Sequence, residues 1–344
     1  QAAPVLLAGN ALHSDLPPEA AGSAVYGWLL CMLGQRFGFP VPVGGAGALT
    51  QAMAKRFRAR GGQLRTSAPA IGLEIAGGAV RAVRLASGER LAARRAVIAD
   101  VPAPVLYEQL IGADRLPPRV VADIQRFQWD APTLKVDWAL SSRIPWTNRQ
   151  VAEAGTVHLG VDLDGLTRYT ADLAMRRPPA EPFVLLGQMT TADASRSPAG
   201  TESVWAYTHL PHGMEPDTDA IAEQVARVEA LLERHAPGFA GLVLGRKVQA
   251  PGDLVEENPS LQHGAINGGT AQLHQQLIFR PIPGLGGAST PIDRLYLGSS
   301  SAHPGGGVHG ACGANAAIAA LKRAGRLGGP RRRLMELAMR QLYR

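Results

Sequence analysis

Residues 294–321 read RLYLGSSSAHPGGGVHGACGANAAIAAL. The apolar run Leu295-Tyr296-Leu297 predicts a buried strand, and the alanine-rich stretch from about Cys312 to Ala324 predicts a helix. Between them, residues 303–313 hold five glycines. Glycine loses more conformational freedom on folding than any other residue, so such a cluster implies a sharp turn or a close backbone approach. A strand, a glycine-rich loop and a helix start also place backbone N–H groups where they favour negative charge. Two readings stay open from these residues alone: contact with a cofactor, and a purely structural turn.

Gly305, Gly307 and Gly310 satisfy G-x-G-x-x-G literally. The dinucleotide fingerprint, however, follows its strand at once and is answered by an acidic residue about 20 positions on. Here several residues separate Leu297 from Gly305, and the only acid downstream is Glu336. His303, His309 and Cys312 do not complete a metal-ligand spacing, so no metal is expected. Ser299-Ser300-Ser301 lacks the G-x-S-x-G elbow of a serine hydrolase. His309 is a candidate to line a pocket. Lys135 and Asp137 in TLKVDWAL face either a substrate cavity or simply the polar side of an antiparallel strand.

The 344 residues carry 35 Lys/Arg against 28 Asp/Glu, and 46% are hydrophobic, which predicts a globular chain long enough for two domains. From Lys322 onward eight basic residues meet one acid, so the excess charge belongs to the tail and the rest is balanced. In that tail Leu334, Leu337, Ala338 and Leu342 recur at helical spacing and are expected to share one face. Such a helix either packs on the body by that stripe or lies on an anionic membrane surface. Nucleic-acid binding is not expected, because aromatic residues do not interleave with the charges. No run of 18 apolar residues predicts a spanning helix. Cys31 and Cys312 are far apart, and a reducing, cytoplasmic compartment is the expectation.

Upstream, residues 18–37 predict an apolar helix, and Pro/Gly-rich backbone then feeds a helix from about Ala46 to Arg60, with Leu49, Met53, Ala54 and Phe57 on one face. From residue 70 the period becomes two: short β segments with Gly77-Gly78 and Ser87-Gly88 turns, ending in a strand over 96–99. TLKVDWAL, TVHLG, PFVLLGQMT and SVWAYTHL predict strands. Residues 219–235 predict an amphipathic helix with Ile221, Val225, Val228 and Leu232 together.

Four segments together resemble the phytoene desaturase-like FAD-dependent oxidoreductases: FPVPVGGAGALTQAMAKRFRARGGQLRTSAP (39–69), AIGLEIAGGAVRAVRLASGERLAARRAVIADVP (70–102), TLKVDWALSSRIPW (133–146) and the opening segment. The resemblance implies an α/β (α+β), glutathione-reductase-like, two-domain FAD-binding fold. The family's N-terminal strand–GxGxxG–helix is not among the matched segments, so the fold is expected to be incomplete at the N-terminus. Residues 1–100 would be the remainder of a discontinuous FAD-binding domain and 101–290 the substrate-binding domain. Residues 291–326 would be the C-terminal FAD segment and 327–344 a basic tail helix.

The cofactor implied is FAD. Gly298, Ser299, Pro304, Gly305, Gly306, Gly307, Val308 and Gly310 would lie against its flavin end. Ala70 would meet the adenine through its backbone, and Ala99 with Asp100 would close the strand beneath the cofactor. The implied activity is hydride transfer from an apolar, polyisoprenoid or other lipid substrate to the flavin, a step that needs no general base, and no catalytic residue is assigned. A non-catalytic module that binds a lipid or a partner chain, and a flavin-dependent isomerase, are the alternatives.

Overall fold

The structure, a computed structural model, describes residues 2–213 and 218–342. Helices α1 (Ala2–Leu12), α2 (Ser23–Phe37) and α3 (Ala46–Arg58) come first, then strands β1 (Ala70–Ala76), β2 (Ala79–Leu85), β3 (Arg90–Ala92) and β4 (Val97–Ala99). A π-helical segment, Val105–Gly112, and α4 (Pro118–Gln125) lead into β5 (Thr133–Leu140) and β6 (Thr156–Leu159). Next are α5 (Leu163–Ala174), β7 (Val184–Gln188), the single turn α6 (Met189–Ala192), β8 (Glu202–His209) and α7 (Thr218–His235). The chain closes with α8 (Phe239–Leu242), β9 (Val243–Gln249), α9 (Pro251–Glu257), β10 (Leu295–Leu297), α10 (Ala311–Ala324) and α11 (Gly328–Leu342).

These elements form two compact units, one of residues 1–64 with 131–259, the other of 65–130 with 260–344. In the first, an antiparallel sheet runs in the order β6-β7-β8-β5-β9. Its alternation is legible in β5, where Leu134, Val136, Trp138 and Leu140 are buried and join Val204 and Ala206 of β8 in one core. Helix α7 closes that core with Val225, Val228 and Leu232, the face its periodicity predicts. Each such fully buried side chain contributes roughly 1.5–3 kcal/mol. The edge strand β9 is mostly exposed and carries Arg246 and Lys247, a composition that hides it from pattern reading and discourages edge pairing.

Residues 1–64 belong to this unit by packing, whereas the sequence reading grouped 1–100 together. The reason is local: Ala8 and Leu12 of α1 pack with Leu166, Tyr169 and Phe183. The turn before α3 is anchored too, since the Gly44 N–H donates to Asp193 Oδ2 at 2.8 Å. Helix α3 itself departs from expectation. None of its residues is buried, and Met53 and Phe57 of the predicted apolar face are 63% and 48% exposed. Periodicity defined the face, but the described residues of this unit leave much of it exposed.

In the second unit β1, β2 and β3 form an antiparallel meander, with the β1–β2 turn at Gly77-Gly78, both at positive φ. Strands β4 and β10 pair in parallel, Val97 opposite Leu295 and Ala99 opposite Leu297. Their core gathers Leu73, Val80, Leu106, Ile124, Leu295 and Leu297. Residues 260–290, grouped by the sequence reading with the preceding domain, pack here through two buried charges described below.

The tail helix also differs from the stripe expected of it. Leu334 and Leu337 are exposed, and α11 is held instead by Arg332, which donates to the carbonyls of Thr290 (3.3 Å) and Pro291 (2.6 Å) and approaches Asp293. Arg323 of α10 forks onto the same Asp293 with bonds of 2.9 and 2.8 Å. Burial alone would raise that carboxyl, but the Arg323 bonds and the nearby guanidinium charges hold it below the usual carboxylate range. Tyr343 and Arg344, counted in the basic tail, lie outside the described residues.

Candidate functional site

The glycine loop begins where β10 meets β4. The Gly298 N–H donates to the Ala99 carbonyl at 2.8 Å, so these two predicted residues are brought together. A Cβ on Gly298 would sit 2.7 Å from the Ile98 side chain, which leaves only glycine at the strand exit. Ser299 and Ser301 are buried, and the Ser301 hydroxyl donates to the Gly268 carbonyl at 2.8 Å. Beyond Pro304 the backbone takes positive φ at Gly305 (109°) and Gly307 (135°), conformations that L side chains rarely adopt.

Two charges hold the floor of this loop. Asp130 is fully buried and accepts from three backbone N–H groups: Ile266 and Asn267 at 2.8 Å and Gly269 at 2.9 Å. Arg280, 1% exposed, donates to the carbonyls of Asn267, Gly268, Gly269, Thr270 and Ser300 at 2.7–3.3 Å. The segment 266–270 is thus strung between a carboxylate that takes its N–H groups and a guanidinium that takes its carbonyls. Buried charges satisfied this fully fix one backbone path.

Gly305 rests on that floor, and a Cβ there would lie 3.4 Å from the Arg280 guanidinium. On Gly306 it would meet the Asn267 carbonyl oxygen at 3.1 Å. Cys312, buried at the start of α10, donates through Sγ to the carbonyls of Ala302 and Gly305 at 3.4 Å. The loop is held from below by Arg280 and from its far end by the helix. Gly306, Gly307, Val308 and Gly310 remain exposed, Val308 at 94%. An exposed strip of backbone with almost no side chains, ending at a helix N-terminus, leaves room for the close approach of a flat partner and favours negative charge. The Ala311 N–H donates to His309 Nδ1 at 3.0 Å, which satisfies the first N–H group of α10. His303 Nδ1 is buried without a hydrogen-bond partner.

Asp100 stands exposed just past β4, and partial desolvation shifts its carboxyl upward. Ala70 starts β1, in the meander and not in the parallel pair, so it lies in a different sheet from Ala99 and Gly298. Lys135 and Asp137 lie in the first unit and pair with each other. Asp130 and Arg280 escaped sequence reasoning. The one signal each leaves is a lone charge framed by aromatic, alanine and proline residues, in QWDAP and IFRPI.

No family model matches the sequence. The chain is 30% identical over 290 residues to pyridine nucleotide-disulfide oxidoreductase domain-containing protein 2 of Rattus norvegicus, covering 80% of this chain and 49% of that protein. It is 26% identical over 319 residues to the lycopene-forming phytoene desaturase of Pantoea ananas, covering 88% of this chain and 59% of the desaturase. The chain therefore spans about half to three-fifths of the length of these relatives.

Among solved structures, an oxidoreductase from Methanosarcina mazei superposes with a TM-score of 0.60 at 14% identity, over 93% of this chain and 64% of that one. A triple mutant of putrescine oxidase, from a redesign of its cofactor binding, gives 0.59 at 19% identity, over 93% and 63%. At these identities the likeness concerns the fold. Sequence relatives and fold converge: the chain is phytoene desaturase-like and has the α/β fold of the FAD-binding oxidoreductases.

Proposed function

We propose that this chain serves an FAD-dependent oxidoreductase that removes hydride from an extended apolar substrate, with the flavin end of FAD lying against the backbone of residues 298–310. The observation that carries the reading is the exposed glycine strip of Gly306, Gly307 and Gly310, braced by Arg280 and opening onto the N-terminus of α10. The residues present fit such a group. Side chains are absent where a ring must come close, and the helix N-terminus favours the negative charge of the reduced ring. His303, whose Nδ1 is buried and unpartnered, has an open hydrogen-bonding position for a polar edge.

When bound, the flavin supplies acceptance of two electrons and a proton, which no side chain of this chain can do. The work left to the chain is positional. Gly305 to Gly307 set the closest approach, Ser299 and Ala99 form the exit of the parallel strands, and Asp100 lies at the end of β4. Relatives named as phytoene desaturases support an apolar, polyisoprenoid-type substrate.

The test is the visible spectrum of the purified chain after FAD is added and then removed by gel filtration. Retained flavin absorbance, lost in Gly306→Leu, is expected. A colourless wild-type chain overturns the reading for this polypeptide and favours a non-catalytic module. A secondary reading concerns α11. Its exposed Leu334 and Leu337 beside Arg333 support peripheral contact with an anionic membrane, which deletion of 328–344 would abolish in vesicle co-sedimentation. Among the described residues, no helix is long and apolar enough to cross a membrane.

A further inference from the structure

One face of the sheet in the first unit carries the core; the other carries a strip of rings. On β8, Trp205 and Tyr207 lie nearly parallel, with centroids 6.1 Å apart and 7° between planes. Tyr207 continues to His13, stacked at 6.5 Å, with its hydroxyl 3.0 Å from His13 Nδ1. His13 in turn faces His158 of β6 at 6.0 Å. The rings come from α1's C-terminal turn, β6 and β8, and all are half-buried or exposed.

Two glycines make room for them. A Cβ on Gly187 of β7, which pairs with Trp205, would lie 2.3 Å from the indole, so the indole fills the space over that position. A Cβ on Gly9 would lie 3.3 Å from His158 Nδ1. Glycine inside a strand or helix weakens it, and the gain here is a run of adjacent rings, parallel at Trp205 and Tyr207 and tilted by 40° between His13 and His158.

Among the described residues, the charges that β5 places on this face are paired. In register, Lys135 sits opposite Tyr207 and Asp137 opposite Trp205, so both share this face, and they neutralise each other. Lys135 also donates to Gln249 at 3.2 Å. Desolvation lowers His13, and desolvation with the neighbouring His13 lowers His158 to about 4, which keeps both imidazoles neutral near pH 7. Among the described residues no three His, Cys, Asp or Glu converge to hold a metal. A neutral, polarisable surface of adjacent rings suits a ligand with π electrons and no charge.

We infer that Trp205, Tyr207, His13 and His158 form the binding surface for a flat, unsaturated apolar chain, recognised by stacking along the β8 side of the sheet. This rests on the reading of an apolar substrate and adds the residues that would distinguish an unsaturated chain from a saturated one.

Equilibrium dialysis of the full chain with radiolabelled geranylgeraniol, and separately with the saturated alcohol phytanol, tests it. The wild-type chain is expected to bind geranylgeraniol saturably and at least tenfold more tightly than phytanol. Trp205→Leu and Tyr207→Leu, both at solvent-accessible positions, are each expected to reduce that preference at least fivefold while the far-ultraviolet circular dichroism is unchanged. Gly187→Val is expected to act in the same direction by displacing the indole. Binding of geranylgeraniol that none of the folded variants alters overturns the surface and leaves the apolar substrate standing. Equal affinity for both alcohols also overturns the surface alone. Failure of the wild-type chain to bind either alcohol overturns both.

Discussion

In the two readings proposed above, each unit presents a surface to a small molecule, and each does so with different parts of the polypeptide. The first uses side chains: an antiparallel sheet with Trp138, Val204 and Leu232 beneath and the ring strip of Trp205 and Tyr207 above. The second uses backbone: a glycine loop stripped of side chains and positioned by Asp130 and Arg280. In the first, the properties of the surface follow from which residues alternate along a strand. In the second they follow from where carbonyls and N–H groups are forced to point. A surface made of backbone therefore needs buried charges as its scaffold, whereas one made of side chains needs only a packed layer behind it.

The difference predicts unequal tolerance. Arg280→Ala should be the most damaging single change, about 3–5 kcal/mol, because it strands five carbonyls together, those of Gly268, Gly269 and Thr270 buried, and adds a cavity. Arg280→Lys should recover little of this in urea unfolding, since an ammonium cannot fan out over five acceptors. If Arg280→Lys restores full stability, the loop is held by charge alone and the contrast fails. In the first unit, Leu232→Met should cost less than about 1.5 kcal/mol, because volume-conserving changes in a side-chain core repack.

About 1–3 kcal/mol, less than for Arg280→Ala, is expected for Gly298→Val, whose side chain must push into Ile98. Its thermal midpoint should fall even with no ligand present. A further contrast lies in the pH response of the ring strip. His158 binds its proton in the folded chain only near pH 4 but near 6.5 when unfolded. The unfolded state therefore holds more protons between those values, and stability should decline as pH falls through that window. His158→Phe should flatten the decline, as measured by urea midpoints at pH 7 and pH 5; an unchanged slope would assign the acid sensitivity elsewhere.

How much of this was legible in the sequence follows the same contrast. β5, β8 and α7 were readable because period two and period 3.6 survive in TLKVDWAL, SVWAYTHL and DAIAEQVARVEALLERH. The glycine loop was readable as a place of close approach, but its support was not. Asp130 and Arg280 are about 150 residues apart, and a buried charge has no periodicity. The exposed faces of α3 and α11 show the converse limit: a helical stripe states that one side is apolar and says nothing of whether anything covers it. Residues 2–12 formed a helix that pattern reading passed over, because AAPVLLAGNAL is apolar on every side and gives no phase to read.

Cys312 gives the glycine loop a clock. Its thiol is buried and turned toward the carbonyls of Ala302 and Gly305, so an alkylating reagent reaches it only while the loop has lifted away from α10. Cys31, half-buried in α2, supplies an internal comparison on the same molecule. The ratio of the two labelling rates then measures how often the loop opens, and any ligand that settles on the glycine strip should slow the Cys312 reaction by the factor to which it closes the loop.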